Sequence, residues 1–127
     1  MEVSAAVFFY EGKVLLMRRA QGHSAAGGWE YPGGKLELGE TGEQCLKREL
    51  KEELGIDAVI GDMIAATSYE NGSNVIHLRA FQVVSYTGDI SLVDHDMMEW
   101  VPTDRLLGHL QLPADAEISK TVVEVFK

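Results

Sequence analysis

Three glutamates in the stretch RELKEELG (48–55), Glu49, Glu52 and Glu53, are the side chains of this 127-residue chain whose spacing most suggests chemistry. On an α-helix each residue advances by about 100°, which gathers the three carboxylates into roughly a quarter to a third of the circumference. Like charges three or four residues apart repel by about 0.2–0.5 kcal/mol per pair, so such a face needs compensation. Divalent cations can supply it. Mg2+ takes oxygen ligands in an octahedron, commonly one or two carboxylates completed by water and substrate phosphates. A solvated helix face is the plainer account of any acidic run, and the surroundings have to separate the two.

The preceding segment, GGWEYPGGKLELGE (27–40), is rich in glycine. Glycines let backbone carbonyls and N–H groups approach a ligand with no Cβ in the way. A glycine-rich turn followed by acids on the next helix could hold a metal–polyphosphate, the cation neutralising the glutamates and bridging them to an anionic substrate.

The elements that position these residues follow from local pattern. Thr41 to Leu54 reads as a helix, with Thr41 as N-cap, Glu43 in the first turn and Gly55 placed to end it. Leu46, Leu50 and Leu54 form a buried stripe, centred about 100° from the glutamates, so the helix can pack on a sheet while showing its acids to a cleft. VSAAVFFY (3–10) and KVLLMRR (13–19) read as strands joined by a tight turn at Glu11-Gly12. After a loop over 21–28, a turn at Pro32-Gly33-Gly34 leads to a short strand over 35–38. Two long strands, 56–70 and 74–86, meet at Asn71-Gly72-Ser73. A loop over 87–96 precedes a strand at 98–102 and one helical turn at PTDRLLG; Pro113 opens a terminal helix reaching 127, with Ile118, Val122 and Phe126 every four residues. Strands and helices without strict alternation predict one α/β (α+β) domain over 1–127, a mixed sheet with helices on its faces.

Charge narrows the partners. Eleven Lys+Arg against twenty Asp+Glu give a net charge of −9 and a pI near 4.8. A nucleic-acid polymer needs a basic face to neutralise its phosphates, so none is expected as partner. The lone cysteine, Cys45, has no partner for a disulfide and no spacing for zinc. No stretch approaches the roughly 20 apolar residues of a membrane span, and Glu2 and Glu11 interrupt the apolar start, so neither a membrane partner nor a signal peptide is expected. The expected compartment is the cytoplasm, and the expected state is a monomer or homodimer.

Residues 34–56 resemble the Nudix box, GX5EX7REUXEEXGU with U a bulky aliphatic. Gly34, Glu40, Arg48, Glu49, Glu52, Glu53 and Gly55 occupy its fixed positions, and Leu50 and Ile56 its aliphatic ones. WEYPGGK (29–35) is similar to the WEFPGGK run of the MutT-like branch, with Tyr31 in place of Phe. VDHDMMEWV (93–101) resembles its EHxxxxWV segment, with Asp94 where Glu is usual, and LPAD (112–115) resembles its base-binding tail. The resemblance implies the Nudix α/β/α sandwich, with its catalytic loop–helix–loop, and dependence on Mg2+ or Mn2+.

It also implies roles. Glu49, Glu52 and Glu53 would be metal ligands, joined by a carbonyl of Gly33 or Gly34. The metals would lower the pKa of a coordinated water, and Glu53, Glu52 or Asp94 would take its proton. Arg48 would be an orienter paired with Glu40 or a box glutamate, a pair that also has a purely structural explanation. Arg19 corresponds to a phosphate-contacting arginine, and Glu30, Tyr31, Pro32 and Gly33 would border the substrate, although the Tyr31 ring could equally be core. His95, His77 and His109 lack ligand spacing and read as structural; His23 lies in a loop near the expected substrate. Asp115 would meet the base. Where some relatives carry Asn, an ionised Asp only accepts hydrogen bonds, which favours the amino group of cytosine or the N–H edge of an oxidised guanine; a helix-dipole role is the alternative. Cys45, without an activating neighbour, is expected to be inert.

The activity implied is hydrolysis of a nucleoside triphosphate to monophosphate and pyrophosphate, on (d)CTP-type or oxidised nucleotides such as 8-oxo-dGTP. The alternatives are a Nudix hydrolase of ADP-ribose or a dinucleotide polyphosphate, and a non-catalytic nucleotide-sensing domain.

Overall fold

The computed structural model describes residues 1–22 and 25–126. Strands β1 (Glu2–Val7), β2 (Phe9–Tyr10), β3 (Lys13–Arg19), β4 (Trp29–Glu30) and β5 (Gly33–Lys35) precede helix α1 (Gly42–Leu54). Strands β6 (Asp57–Asn71), β7 (Asn74–Thr87) and β8 (His95–Pro102) follow, then a 3-10 turn (Thr103–Gly108) and helix α2 (Pro113–Val125).

One sheet has the order β5-β1-β7-β6, mixed because β1 runs parallel to β7 and antiparallel to β5. In the other, β3 pairs with β2 and β4 along one edge and with β8 along the other. Side chains alternate across a strand, and the alternation assigns them to two cores. Ala5, Val7, Val14 and Leu16 pack with Ile118 and Val122 of α2. Ala6, Phe8, Leu15 and Met17 pack with Leu46, Leu50 and Leu54 of α1. The strands are thus clasped between the two helices.

Local chemistry ends α1 cleanly. The Gln44 backbone N–H donates to Thr41 Oγ1 at 3.1 Å, and the Thr41 N–H donates back to Gln44 Oε1 at 2.9 Å, a capping box. Gly55 closes the helix at φ 72°, a left-handed conformation that costs glycine nothing. Ser4 Oγ of β1 donates to the Gly42 carbonyl at 2.9 Å and pins the start of the helix to the sheet.

Three expectations are corrected. The first strand, expected over 3–10, breaks at Phe8, because the chain leaves the β1 sheet there to pair Phe9 with Val14 in the other. The strand expected over 35–38 lies at Gly33–Lys35, where the expected glycine turn itself pairs with Val3–Ala5. The last sheet strand begins at His95 rather than 98, drawn in by β3. The terminal helix runs to Val125; Lys127 lies outside the described residues.

Candidate functional site

Helix α1 carries the acidic face, and Arg48 lies across it. Its guanidinium grips Glu40 in two places (Nε to Oε2 2.7 Å, a terminal nitrogen to Oε1 3.0 Å) and reaches Glu49 at 2.9 Å and Glu52 at 3.1 Å. The same group donates to the Lys35 carbonyl at 3.1 Å. Arg48 therefore relieves much of the repulsion expected among the glutamates and ties the loop before the helix to the helix itself. The hydrogen bond from Arg48 holds the Glu40 carboxyl below the usual carboxylate range, as does the Glu37 N–H. Glu52, with its side chain 60% exposed, turns to Arg48 and solvent and does not line the cleft.

Glu53 has no such relief. Burial pushes its carboxyl up to about 8, reinforced by a hydrogen bond with Glu49 and by the charges of Glu49, Asp94 and Glu30. Glu53 Oε2 is buried without a hydrogen-bond partner. Unsatisfied buried carboxylate oxygens are costly, and Glu53 lines a cleft of about 590 Å³ together with Glu49, Asp94, Gly33 and Gly34.

The two glycines make room in different ways. A Cβ on Gly33 would sit 1.9 Å from the Ser4 carbonyl oxygen, so the pairing of β5 with β1 excludes any side chain there. A Cβ on Gly34 would sit 2.3 Å from Glu49 Cδ, in the space the carboxylate occupies. The Gly34 carbonyl accepts from Cys45 Sγ at 3.5 Å. Burial first, then the Glu40 charge, raises that thiol to about 11, so Cys45 is a core residue with little thiolate.

The donor set fits a hard divalent cation: carboxyl and carbonyl oxygens, one of them orphaned, beside a backbone that allows close approach. Among the described residues, no three His, Cys, Asp or Glu side chains form a ready-made metal cage. Mg2+ does not need one, since it keeps waters and takes substrate phosphates.

At the far end of the cleft stands Asp115, 8% exposed in the first turn of α2. Its Oδ1 accepts the Tyr31 backbone N–H at 3.0 Å. Burial raises its carboxyl to about 7, against that hydrogen bond and with help from the Glu30 charge. Burial thus disfavours the ionised, acceptor-only form of Asp115 considered from the sequence. The Tyr31 ring is core: 3% exposed, with its hydroxyl 2.7 Å from Ser119 Oγ. Pro32 is also buried, its carbonyl accepts from Ala6 N at 2.8 Å, and it does not line the cleft.

Between the two ends lie Arg19 and Glu30, paired at 3.1 and 3.2 Å, and His95, whose Nε2 is 2.9 Å from Glu30 Oε2. Sequence reasoning passed over His95 as structural and missed Tyr69, Ile76 and Leu78, which also line the cleft. Alternation along β7 (Ile76, Leu78, Ala80) signals an inward face, but nothing in it reveals that Ile76 and Leu78 border the cleft. His23 lies outside the described residues.

The NUDIX domain model matches residues 1–126. The chain belongs to the Nudix hydrolase family, in its MutT-like branch. It is 38% identical over 115 residues to a CTP pyrophosphohydrolase of Escherichia coli, covering 91% of this chain and 85% of that one. A protein named putative 8-oxo-dGTP diphosphatase 2, from Mycobacterium tuberculosis, is 36% identical over 116 residues, covering 86% and 81%. Among solved structures, the solution structure of the E. coli ORF135 protein superimposes with a TM-score of 0.89 at 35% identity, over 98% of this chain and 89% of that one. A MutT protein of Methanosarcina mazei follows the same path with a TM-score of 0.84 at 29% identity, over 99% and 91%. As a Nudix hydrolase the chain is an enzyme of a family that generally works with divalent metal ions. Among the described residues no helix is long and apolar enough to cross a membrane.

Proposed function

We propose that this Nudix hydrolase is a Mg2+-dependent nucleoside triphosphate pyrophosphohydrolase that converts (d)NTP and water to (d)NMP and pyrophosphate. Its substrates on this reading are cytosine nucleotides or oxidised ones such as 8-oxo-dGTP. One observation carries the reading: a single cleft joins a crowded carboxylate end, Glu49, Glu53 and Asp94, to the buried hydrogen-bonding residue Asp115. The first end suits a polyphosphate–metal complex and the second a base. The names of the relatives in E. coli and M. tuberculosis point to the same pair of substrates.

When bound, Mg2+ would supply charge to the phosphates and acidify a water; Glu49 and Glu53, with the Gly33 or Gly34 carbonyl, would hold it, and Glu52 would join after leaving Arg48. Arg48 positions the glutamates through its bonds to Glu40, Glu49 and Glu52. Glu53, in the carboxylate-lined end of the cleft, takes the proton of the attacking water. Arg19 balances phosphate charge from the cleft wall. Asp115 as carboxylate accepts from the amino group of cytosine, and as carboxyl it both donates and accepts, which fits the mixed edge of an oxidised guanine.

The test is a panel of unmodified, methylated and oxidised nucleotides with Mg2+, scoring pyrophosphate against orthophosphate. Pyrophosphate from CTP-type or oxidised nucleotides is the expected result, and orthophosphate as first product would contradict the bond assignment. Glu53→Gln should lower kcat by roughly a thousandfold or more, on the scale of losing a catalytic base and its charge, while the circular dichroism spectrum stays unchanged. Near-wild-type turnover in that variant would reject the role of Glu53.

A further inference from the structure

The β3–β8 pairing is irregular at one place, and that place faces the cleft. Arg18 pairs with Met97, but Arg19 pairs with His95, so Asp96 is the extra residue of a bulge. Bulges re-aim side chains beside functional sites. Here Asp96 turns outward to bond Arg18 Nε at 2.7 Å, and His95 turns inward to 6% exposure.

The inward imidazole meets one partner. A carboxylate only accepts hydrogen bonds, so His95 Nε2, 2.9 Å from Glu30 Oε2, is the nitrogen that carries hydrogen. Nδ1 is buried and has no hydrogen-bond partner. A histidine kept only to fill the core would gain by satisfying both nitrogens, or by giving way to an apolar side chain, because an unpaired buried polar atom is destabilising. This ring leaves one nitrogen unsatisfied and aims the other at Glu30.

Glu30 is a hazard in its setting. It lines the cleft together with Glu49, Glu53 and Asp94, and the substrate read above is a polyanion. Arg19 holds the carboxylate from one side and His95 from another. With the imidazole gone, the carboxylate would keep its bonds to Arg19 but lose the contact that fixes its direction.

We propose that His95 is a positioning residue that acts through Glu30, holding that carboxylate in the wall of the cleft and out of the path of the nucleotide. The proposal rests on the cleft being a nucleotide site. Its place in the molecule supports it: Glu30 lines the same cleft as Glu53 and Asp115, so its location matters to whatever the cleft holds.

Two amides separate positioning from packing. The terminal nitrogen of glutamine reaches where Nε2 stands, whereas that of asparagine reaches only the place of Nδ1. His95→Ala, His95→Asn and His95→Gln are compared for the Kd of α,β-methylene-CTP with Mg2+ by calorimetry, for KM and kcat with CTP, and for thermal unfolding. Alanine and asparagine should raise Kd and KM by roughly tenfold or more, the worth of one charge-assisted hydrogen bond, with kcat changed by less than about twofold. Glutamine should restore wild-type values. In a Glu30→Ala background, His95→Ala should have no further effect on Kd. Equal defects in the glutamine and asparagine variants, or an undiminished effect of His95→Ala without Glu30, would overturn the proposal. If the alanine variant fails to fold, the amide pair decides. Wild-type binding without cleavage would overturn the hydrolase reading alone, because His95 is then still judged by Kd.

Discussion

Asp115→Asn puts a number on what burying this carboxyl costs in stability. In the folded chain burial raises the Asp115 carboxyl from 3.8 to about 7, a change of about 3 units. At 1.36 kcal/mol per unit this is on the order of 4 kcal/mol, an upper bound because charge spreads and water penetrates. The sign follows from proton binding. Between about pH 4 and pH 7 the folded state holds the proton and the unfolded state has released it, so stability falls as pH rises through that window. Asparagine has the same shape and keeps an oxygen for the Tyr31 N–H, yet has no charge to bury. Near pH 4.5 the variant should lead by no more than about 1 kcal/mol, and at pH 8 by about 2–4 kcal/mol. Urea unfolding of both proteins at intervals from pH 4.5 to 8 measures this, and taking the difference cancels the titrating groups that do not interact with Asp115. A difference that stays flat with pH, or that favours wild type as pH rises, would refute the argument. The variant should also shift the preference between cytosine and oxidised-guanine nucleotides, since an amide offers both a donor and an acceptor at every pH.

The two cleft glycines should fail differently. Gly33→Ala drives a Cβ into the Ser4 backbone carbonyl and should cost about 3 kcal/mol in urea unfolding, the upper range for overpacking. In Gly34→Ala the obstacle is the movable end of Glu49, so thermal unfolding should change little while kcat falls by roughly tenfold or more. Cys45, buried and with its thiol raised to about 11, should resist iodoacetamide at pH 8 and react once the chain is unfolded in urea, as mass spectrometry would show.

Helix α1 was legible residue by residue because everything that makes it is local. Thr41 and Gly55 end it, the leucines repeat with its period, and Glu49 and Glu53 follow from their position in the same count. The Glu11-Gly12 turn and the Asn71–Asn74 hairpin were legible for the same reason, as Glu11, Gly12 and Gly72 take the positive φ values that their turns require. The split at Phe8 was not legible. The residues over 3–10 keep the pattern of one strand, and the break exists only because two sheets compete for them. Gly33 and Gly34 carry every mark of a turn and are strand residues, because they pair with Ala5 and Ser4 of β1, which at Gly33 leaves no room for a Cβ.

By itself, then, the sequence determined helix α1, its acidic face and the family. Those depend on contacts within a few turns of chain, which spacing records directly. Only the tertiary structure decided what each carboxylate became. Glu52 stays exposed on Arg48, Glu53 is buried among like charges, Asp115 is buried in the first turn of α2, and His95 is swung onto Glu30 by one extra residue in β8. Burial and electrostatic field are sums over neighbours far apart in the chain, and no local pattern carries them.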